Sequence, residues 1–267
     1  MDIWASSDLH LDYPENWKWW QQLSPKHYQE DGLILAGDIT HDTAQLLLFF
    51  QELVPKFKKV FFVPGNHDLW ITPQDKGNSL DKFHFLLEQL AALGVQVSPW
   101  HSPELIILPL FSWYDYTFGE PSKTIKRAWM DFRNCQWPLE LPALTQHFLS
   151  LNELPPSTNI PIISFSHFMP HASLMPPRSS KIIKALMPVF GSELLGEQVA
   201  TLSSALHIYG HSHLNRSVGK GSTWFLNNAF GYPHEAQICR KVLLPVYQKG
   251  QVVTGIEQWP QHPDLKA

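Results

Sequence analysis

Five short polar clusters interrupt the apolar runs of this 267-residue chain. They are Asp8-Leu9-His10, Gly37-Asp38, Gly65-Asn66-His67-Asp68, Ser166-His167 and Gly210-His211-Ser212-His213. Carboxylates, imidazoles and amide oxygens ligate divalent ions, and imidazole also exchanges protons near neutral pH. Side chains at i and i+2 on extended backbone point the same way. Asp8 with His10, and His211 with His213, are therefore each expected to aim two donors at one point. Gly37, Gly65 and Gly210 are expected where backbone turns close to such a site. Imidazole-rich donors without thiolate suit Mn, Fe, Zn or Co better than the oxygen cages of Mg or Ca.

Each cluster follows an apolar run that reads as a strand. Residues 3–7, 32–36 and 60–63 give three strands in the first half. Helix-length segments at 16–29, 43–54 and 79–93 lie between or after them. Pro55 and Gly94 close the last two helices. Strands alternating with helices predict βαβ units. The second half is richer in strands, at 105–110, 160–165, 206–209, 223–227, 242–246 and 252–256. Two long stretches near 111–142 and 168–189 read as loop insertions in a single domain spanning 1–267. Polar groups at the carboxyl ends of parallel strands meet in the crevice where ligands bind.

Taken singly, these clusters have ordinary explanations. Asp8 and Asp38 read as helix caps or turn residues, Asn66-His67-Asp68 as a turn, His211 and His213 as surface strand residues, and His167 as structural. In this order, each after a strand, they resemble the signature of the calcineurin-like metallophosphoesterases. The resemblance runs from Asp8 to His213. It implies a four-layer α/β/β/α sandwich with two mixed β-sheets. It implies that Asp8, His10 and His213 hold one metal, that Asn66, His167 and His211 hold another, and that Asp38 bridges them. His67 would meet the substrate phosphate and the leaving oxygen, with Asp68 orienting it through a hydrogen bond. The fourth cluster departs from the pattern, with Ser166 where the family often has Gly.

The reaction so implied is hydrolysis of phosphomonoesters or phosphodiesters by metal-activated hydroxide. The cofactors are two divalent transition-metal ions, manganese first among them. Paired metals roughly 3.5–4 Å apart stabilise in-line displacement at phosphorus. The substrate, small or macromolecular, stays open. A nuclease using the same site is one alternative. A non-catalytic scaffold is another, although such a protein is expected to lose His67 or several ligands.

Other residues carry weaker signals. His41, His84, His101, His171, His207 and His234 lack motif partners, and only His234 is placed to line the site. Trp113-Tyr114-Asp115-Tyr116 and residues 129–137 read either as a lid or as a satellite hydrophobic cluster. Lys123, Lys126 and Arg127 in one insertion, with Arg178, Lys181 and Lys184 in the other, read as a solvated face or as contacts to a second phosphate or a nucleic-acid backbone.

Composition removes several classes. With 44% apolar and 16% charged residues, the chain can build a core and is not disordered. No apolar run approaches the ~18 residues of a membrane span, and the start lacks a secretory pattern. Cys135 and Cys239 are far apart, so reduced core thiols and a cytoplasmic setting are expected. A net charge of −4 disfavours a chain built mainly to coat nucleic acid.

Overall fold

The computed structural model describes residues 1–256. Along the chain, β1 (Ile3–Ser6), α1 (Pro14–Gln21), β2 (Gly32–Leu35), α2 (Thr43–Leu53) and β3 (Lys59–Phe62) form two consecutive βαβ units. These strands pair in parallel, so their carboxyl ends share one edge. After α3 (Ser79–Ala92) come β4 (Trp100–His101) and β5 (Ile106–Pro109). The first insertion folds into α4 (Lys123–Ala128) and α5 (Asp131–Asn134), followed by α6 (Ala143–Ser150) and β6 (Ile162–Phe165). The second contains α7 (Lys181–Leu186) and leads to α8 (Glu193–Leu202) and β7 (Leu206–Tyr209). The described chain ends with β8 (Arg216–Lys220), β9 (Thr223–Asn227), β10 (Leu244–Gln248) and β11 (Gln251–Val252).

Two mixed sheets result, ordered β11-β10-β1-β2-β3 and β4-β5-β6-β7-β9-β8. Strand alternation sets the layers. Ile34 and Phe61 pack with Ile163, Phe165 and Ile208 of the other sheet, which makes the core between them. Their neighbours Leu33, Leu35, Val60 and Phe62 face outward onto Leu46, Phe50, Phe83 and Leu86 of α2 and α3. On the far side, Ile106, Leu108 and Ile162 pack against Leu195, Val199 and Leu202 of α8. The arrangement is the expected α/β/β/α sandwich.

Several elements differ from the sequence reading. The helix expected over 16–29 starts at Pro14, in its first turn, and stops at Gln21. Pro25 bars Ser24 from continuing a helix. α3 starts at Ser79 as expected, behind an Asn78 cap, and ends at Ala92. Asn78 accepts from the Leu80 and Asp81 amides, while Asp81 accepts from Asn78. The strand expected over 252–256 is only β11, and the two-residue β4 and five-residue β8 are additions at the sheet edges.

Candidate active site

The crevice lies where five parallel strands end. Asp8 follows β1, Asp38 follows β2, Asn66 follows β3, His167 follows β6 and His211 follows β7. The structure brings these five together with His10 and His213, and all seven are buried. One ligand atom from each of Asp8, His10, Asp38 and His213 falls within 4.8 Å of the others. The same holds for Asp38, His167 and His211, so Asp38 belongs to both groups. Asn66 joins the second group, its Oδ1 3.0 Å from His167 Nε2.

The local backbone is not the extended one expected. Asp8, His10, Asp38, His211 and His213 have φ of 53°, 43°, 55°, 67° and 51°. They are five of the eight described non-glycine residues in the left-handed region. Such conformations cost energy and persist where the surroundings fix them, which concentrates them at functional sites. Convergence of the i, i+2 pairs thus comes from left-handed turns after the strands. Neighbours hold these turns. Asn16 Nδ2 donates to the carbonyls of Leu9, His10 and Gly231. Asn227 Nδ2 donates to the Gly210 carbonyl, and the His211 amide donates to Asp8 Oδ1. Gly37 combines φ 84° with close packing, because a Cβ there would sit 2.6 Å from both the Gly65 nitrogen and His167 Nδ1.

Hydrogen bonds on the far side of three of the rings leave one nitrogen of each for the site. His167 Nδ1 bonds the Ala36 carbonyl at 2.9 Å, leaving Nε2 for the site. His211 Nε2 bonds the Val189 carbonyl at 2.9 Å, leaving Nδ1. His213 Nδ1 bonds Glu235 Oε2 at 2.6 Å, leaving Nε2. Such outer partners orient metal-binding imidazoles and raise their basicity. The inward nitrogens crowd one another: His10 Nε2 is 3.0 Å from His213 Nε2, and His167 Nε2 is 3.1 Å from His211 Nδ1. Asp131 Oδ1 accepts from Asn66 Nδ2 at 2.8 Å, which turns the Asn66 oxygen toward His167.

Electrostatics follow from burial. His10, His67 and His211 are held well below the usual histidine range by burial and neighbouring imidazoles. Burial lowers His167 too. Burial opposes charge on His213, but Asp8 and Glu235 raise it to about 10. Burial likewise works against ionised Asp8, yet His213 brings it down to about 2. Asp38 is pushed well above the carboxylate range by burial and by Asp68 and Asp8. Neutral His10, His167 and His211, a protonated His213 and a carboxylate that resists ionisation fit divalent cations, whose charge would favour the neutral imidazoles and the ionised carboxylate.

His67 lies at the rim, its ring stacked on Trp70 at 3.8 Å. Its amide donates to Asp38 Oδ1, and Tyr232 Oη is 3.5 Å from its Nε2. Asp68 does not have the role expected of it. Its carboxylate accepts from the backbone amides of Asp38, Ile39, Thr40 and Gly65, with no hydrogen bond to the His67 ring. Asp68 therefore ties the β2 turn to the β3 turn. Burial raises it to about 6, although those four amides pull it down.

The weaker signals divide. Trp113 and Tyr114 are fully buried with Phe168, as a hydrophobic cluster rather than a lid. Trp129 stands edge-on to His211 at 5.7 Å and donates to Asp131, so the 129–137 segment walls the site. His207 is buried between Ser164 and Ser166, His171 pairs with Glu193, and His101 is exposed. Ser166 donates to the Phe168 carbonyl, a bond unavailable to glycine. His234 is exposed and stacks on Tyr232, while Tyr232 and Glu235 make the site contacts. Cys135 and Cys239 are free. Among the described residues no helix is long and apolar enough to cross a membrane. Sequence reasoning missed Asp131, Glu235, Trp70, Tyr232 and Asn16. Only Asp131, the one acid in the aromatic segment 129–137, left a trace there.

A family model described as calcineurin-like phosphoesterase matches residues 1–215. The chain belongs to that family. It is similar to the acyl-carrier-protein phosphodiesterase PptH of Mycobacterium tuberculosis, 26% identical over 266 residues, covering 87% of this chain and 78% of the relative. The crystal structure of phosphopantetheinyl hydrolase PptH from Mycobacterium tuberculosis has the same fold. It superposes with a TM-score of 0.75 at 24% identity, covering 95% of this chain and 98% of that one. As a member of the family, the chain is a metal-dependent phosphoric ester hydrolase, and its buried His/Asp cluster can bind metal.

Proposed function

We propose that this chain is a dinuclear phosphodiesterase that cleaves a phosphodiester joining a pantetheine-type arm to a carrier protein. The observation that carries the dinuclear reading is Asp38, shared between two groups of buried donors. Asp8, His10, Asp38 and His213 would hold one ion. Asp38, Asn66, His167 and His211 would hold the other. Bound there, two divalent ions such as Mn, Fe, Zn or Co supply Lewis-acid stabilisation of a phosphoryl group and a nucleophile at neutral pH. Manganese is the ion first expected. The carrier-protein substrate is supported by what the Mycobacterium relative is named for.

The chain's own residues do the rest. Outer hydrogen bonds from Ala36, Val189 and Glu235 keep one lone pair of each partnered imidazole facing inward. His67 stays neutral because it is buried, and Trp70 and Tyr232 fix its ring at the rim. Its N–H would hydrogen-bond the oxygen that departs from phosphorus. Asp68 acts through the backbone that shapes the Asp38 and Asn66 turns. On this reading 1–267 is a single domain, with Trp129 of the first insertion and Val189 of the second at the wall of the site. The two free cysteines suit a cytoplasmic setting.

A metal-replete assay tests this reading. A chromogenic diester, its monoester, nucleotides, single-stranded DNA and a phosphopantetheine-bearing carrier protein are compared. The expected result is faster cleavage of the diester than of the monoester, with the carrier protein losing its arm by mass spectrometry. Preference for the monoester, or for DNA, would replace the proposal with a phosphatase or nuclease. Inactivity with every divalent ion would favour the scaffold.

A further inference from the structure

We infer that the two basic insertions form a docking surface for an acidic protein that presents the scissile phosphodiester. The inference rests on the phosphodiesterase reading and adds to it the face that recognises the partner. Segments 121–139 and 168–192 contain seven of the chain's 20 Lys and Arg residues but one of its 24 acids. That acid is Asp131, buried and bonded to Asn66, Trp70 and Trp129. The basic residues are Lys123, Lys126 and Arg127 on α4, Arg133 on α5, and Arg178, Lys181 and Lys184 at α7, all exposed. Among the described residues none of them has a carboxylate partner; the lysine ion pairs involve Lys58, Lys82 and Lys241. A merely solvated face would mix both signs. In a chain of net charge −4, these two segments are instead predominantly positive, with Glu120, Glu140 and Glu193 only at their borders.

Topology brings the two segments to the same wall of the site. α4 ends at Trp129, whose ring meets His211. α7 runs into the turn Met187–Val189, and the Val189 carbonyl bonds the other side of His211. The loop leading into the first segment also approaches the second, since a Cβ on Gly119 would lie 3.9 Å from Pro188. Leu186 is three residues from Val189, a reach of roughly 10 Å. A partner seated on α4 and α7 therefore lies within the length of a flexible arm of the donors. Large apolar side chains are interspersed with the cations. Ile182 is 74% exposed, Met130 43% and Phe132 37%. Apolar anchors within a charged rim suit a folded protein partner. A nucleic-acid strand would make no use of Ile182 and Met130.

The test uses the full, metal-loaded chain with Lys126→Glu/Arg127→Glu, Lys181→Glu/Lys184→Glu, the four changes combined, and Ile182→Ser. Binding of a labelled, net-negative carrier protein bearing phosphopantetheine is measured against salt. Values of kcat/KM are compared on that protein and on a small chromogenic diester. The combined variant is expected to associate about ten- to a hundredfold more weakly while cleaving the small diester as before. Ile182→Ser is expected to weaken binding without changing its salt dependence. Unchanged carrier binding in the combined variant, or no carrier binding by the parent chain, overturns the docking surface while small-diester cleavage keeps the hydrolase reading intact. Charge-dependent carrier binding without cleavage supports the surface and removes the substrate reading. Tighter binding of a single-stranded oligonucleotide, lost in the same variants, overturns the protein partner.

Discussion

Three side chains separate positioning from chemistry. His67 contributes no atom to either group of donors, and its ring rests between Trp70 and Tyr232. Removing it should leave the ions bound and slow turnover about 10²- to 10⁴-fold, most for poor leaving groups. Metal analysis beside kcat for His67→Ala decides this; a metal-depleted variant would make His67 a ligand. Asp131 acts one step further out, through Asn66. Asp131→Ala should weaken metal affinity about 10- to 100-fold, because Asn66 loses the acceptor that holds its amide in one orientation. Titrating activity with metal would expose the change, and an unaltered midpoint would dismiss Asp131 from the site. Asp68 carries a different burden. Asp68→Ala leaves four backbone amides without their acceptor, at about 1–3 kcal/mol for each that stays dry. Loss of stability greater than that of His67→Ala, measured in denaturant, is the expected mark of its structural role.

At the scale of elements, the ligand turns depend on a few points of close approach. Gly37 is the sharpest, because both its φ and its contacts exclude a side chain. Gly37→Ala should move the β2 and β3 turns apart, lowering thermal stability and metal content together; normal metal content would show that the turns tolerate the strain. Much of this architecture was readable beforehand. The runs Ile3–Ser6, Gly32–Leu35 and Leu206–Tyr209 are short, apolar and bounded by polar turns, and each became the strand expected. The ordered polar clusters pointed to the seven donors because each followed such a run. The left-handed conformations of Asp8, His10, Asp38, His211 and His213 were not legible, since these residue types usually lie elsewhere. Nor were the partners of Asp68. A carboxylate beside a histidine suggests an ion pair, while the amides that claim it come from 28 to 30 residues away for the β2 turn. Glu235 and Asp131 escaped for the same reason, since contacts this distant in sequence leave no spacing to read.

Taken as a whole, the molecule couples folding, protons and metal through one buried cluster. In the metal-free chain His213 keeps its proton up to about pH 10, against 6.5 for an ordinary histidine. A raised basic group stabilises the fold fully below pH 6.5, and that contribution is lost as pH climbs through 10. Asp8, lowered to about 2, contributes fully above 3.8 and loses its contribution only as pH falls through 2. His10, His67, His167 and His211 have the opposite sense to His213. Held neutral by burial, they cost the fold nothing above 6.5 and destabilise it as pH drops below that value. Metal-free chain should therefore lose stability between pH 7 and 9, by about 1.4 kcal/mol per pH unit from His213, with the raised Asp38 acting in the same sense. Metal reverses this slope. To ligate, His213 must release its proton, so ion binding expels protons and tightens as pH rises. Melting curves from pH 6 to 9, with chelator and with saturating manganese, should diverge steadily toward alkaline pH. Activity at limiting metal should decline toward pH 6 for the same reason. Parallel melting curves would mean that His213 gives up no proton to the ion, and with that the assignment of His213 as a ligand would fall.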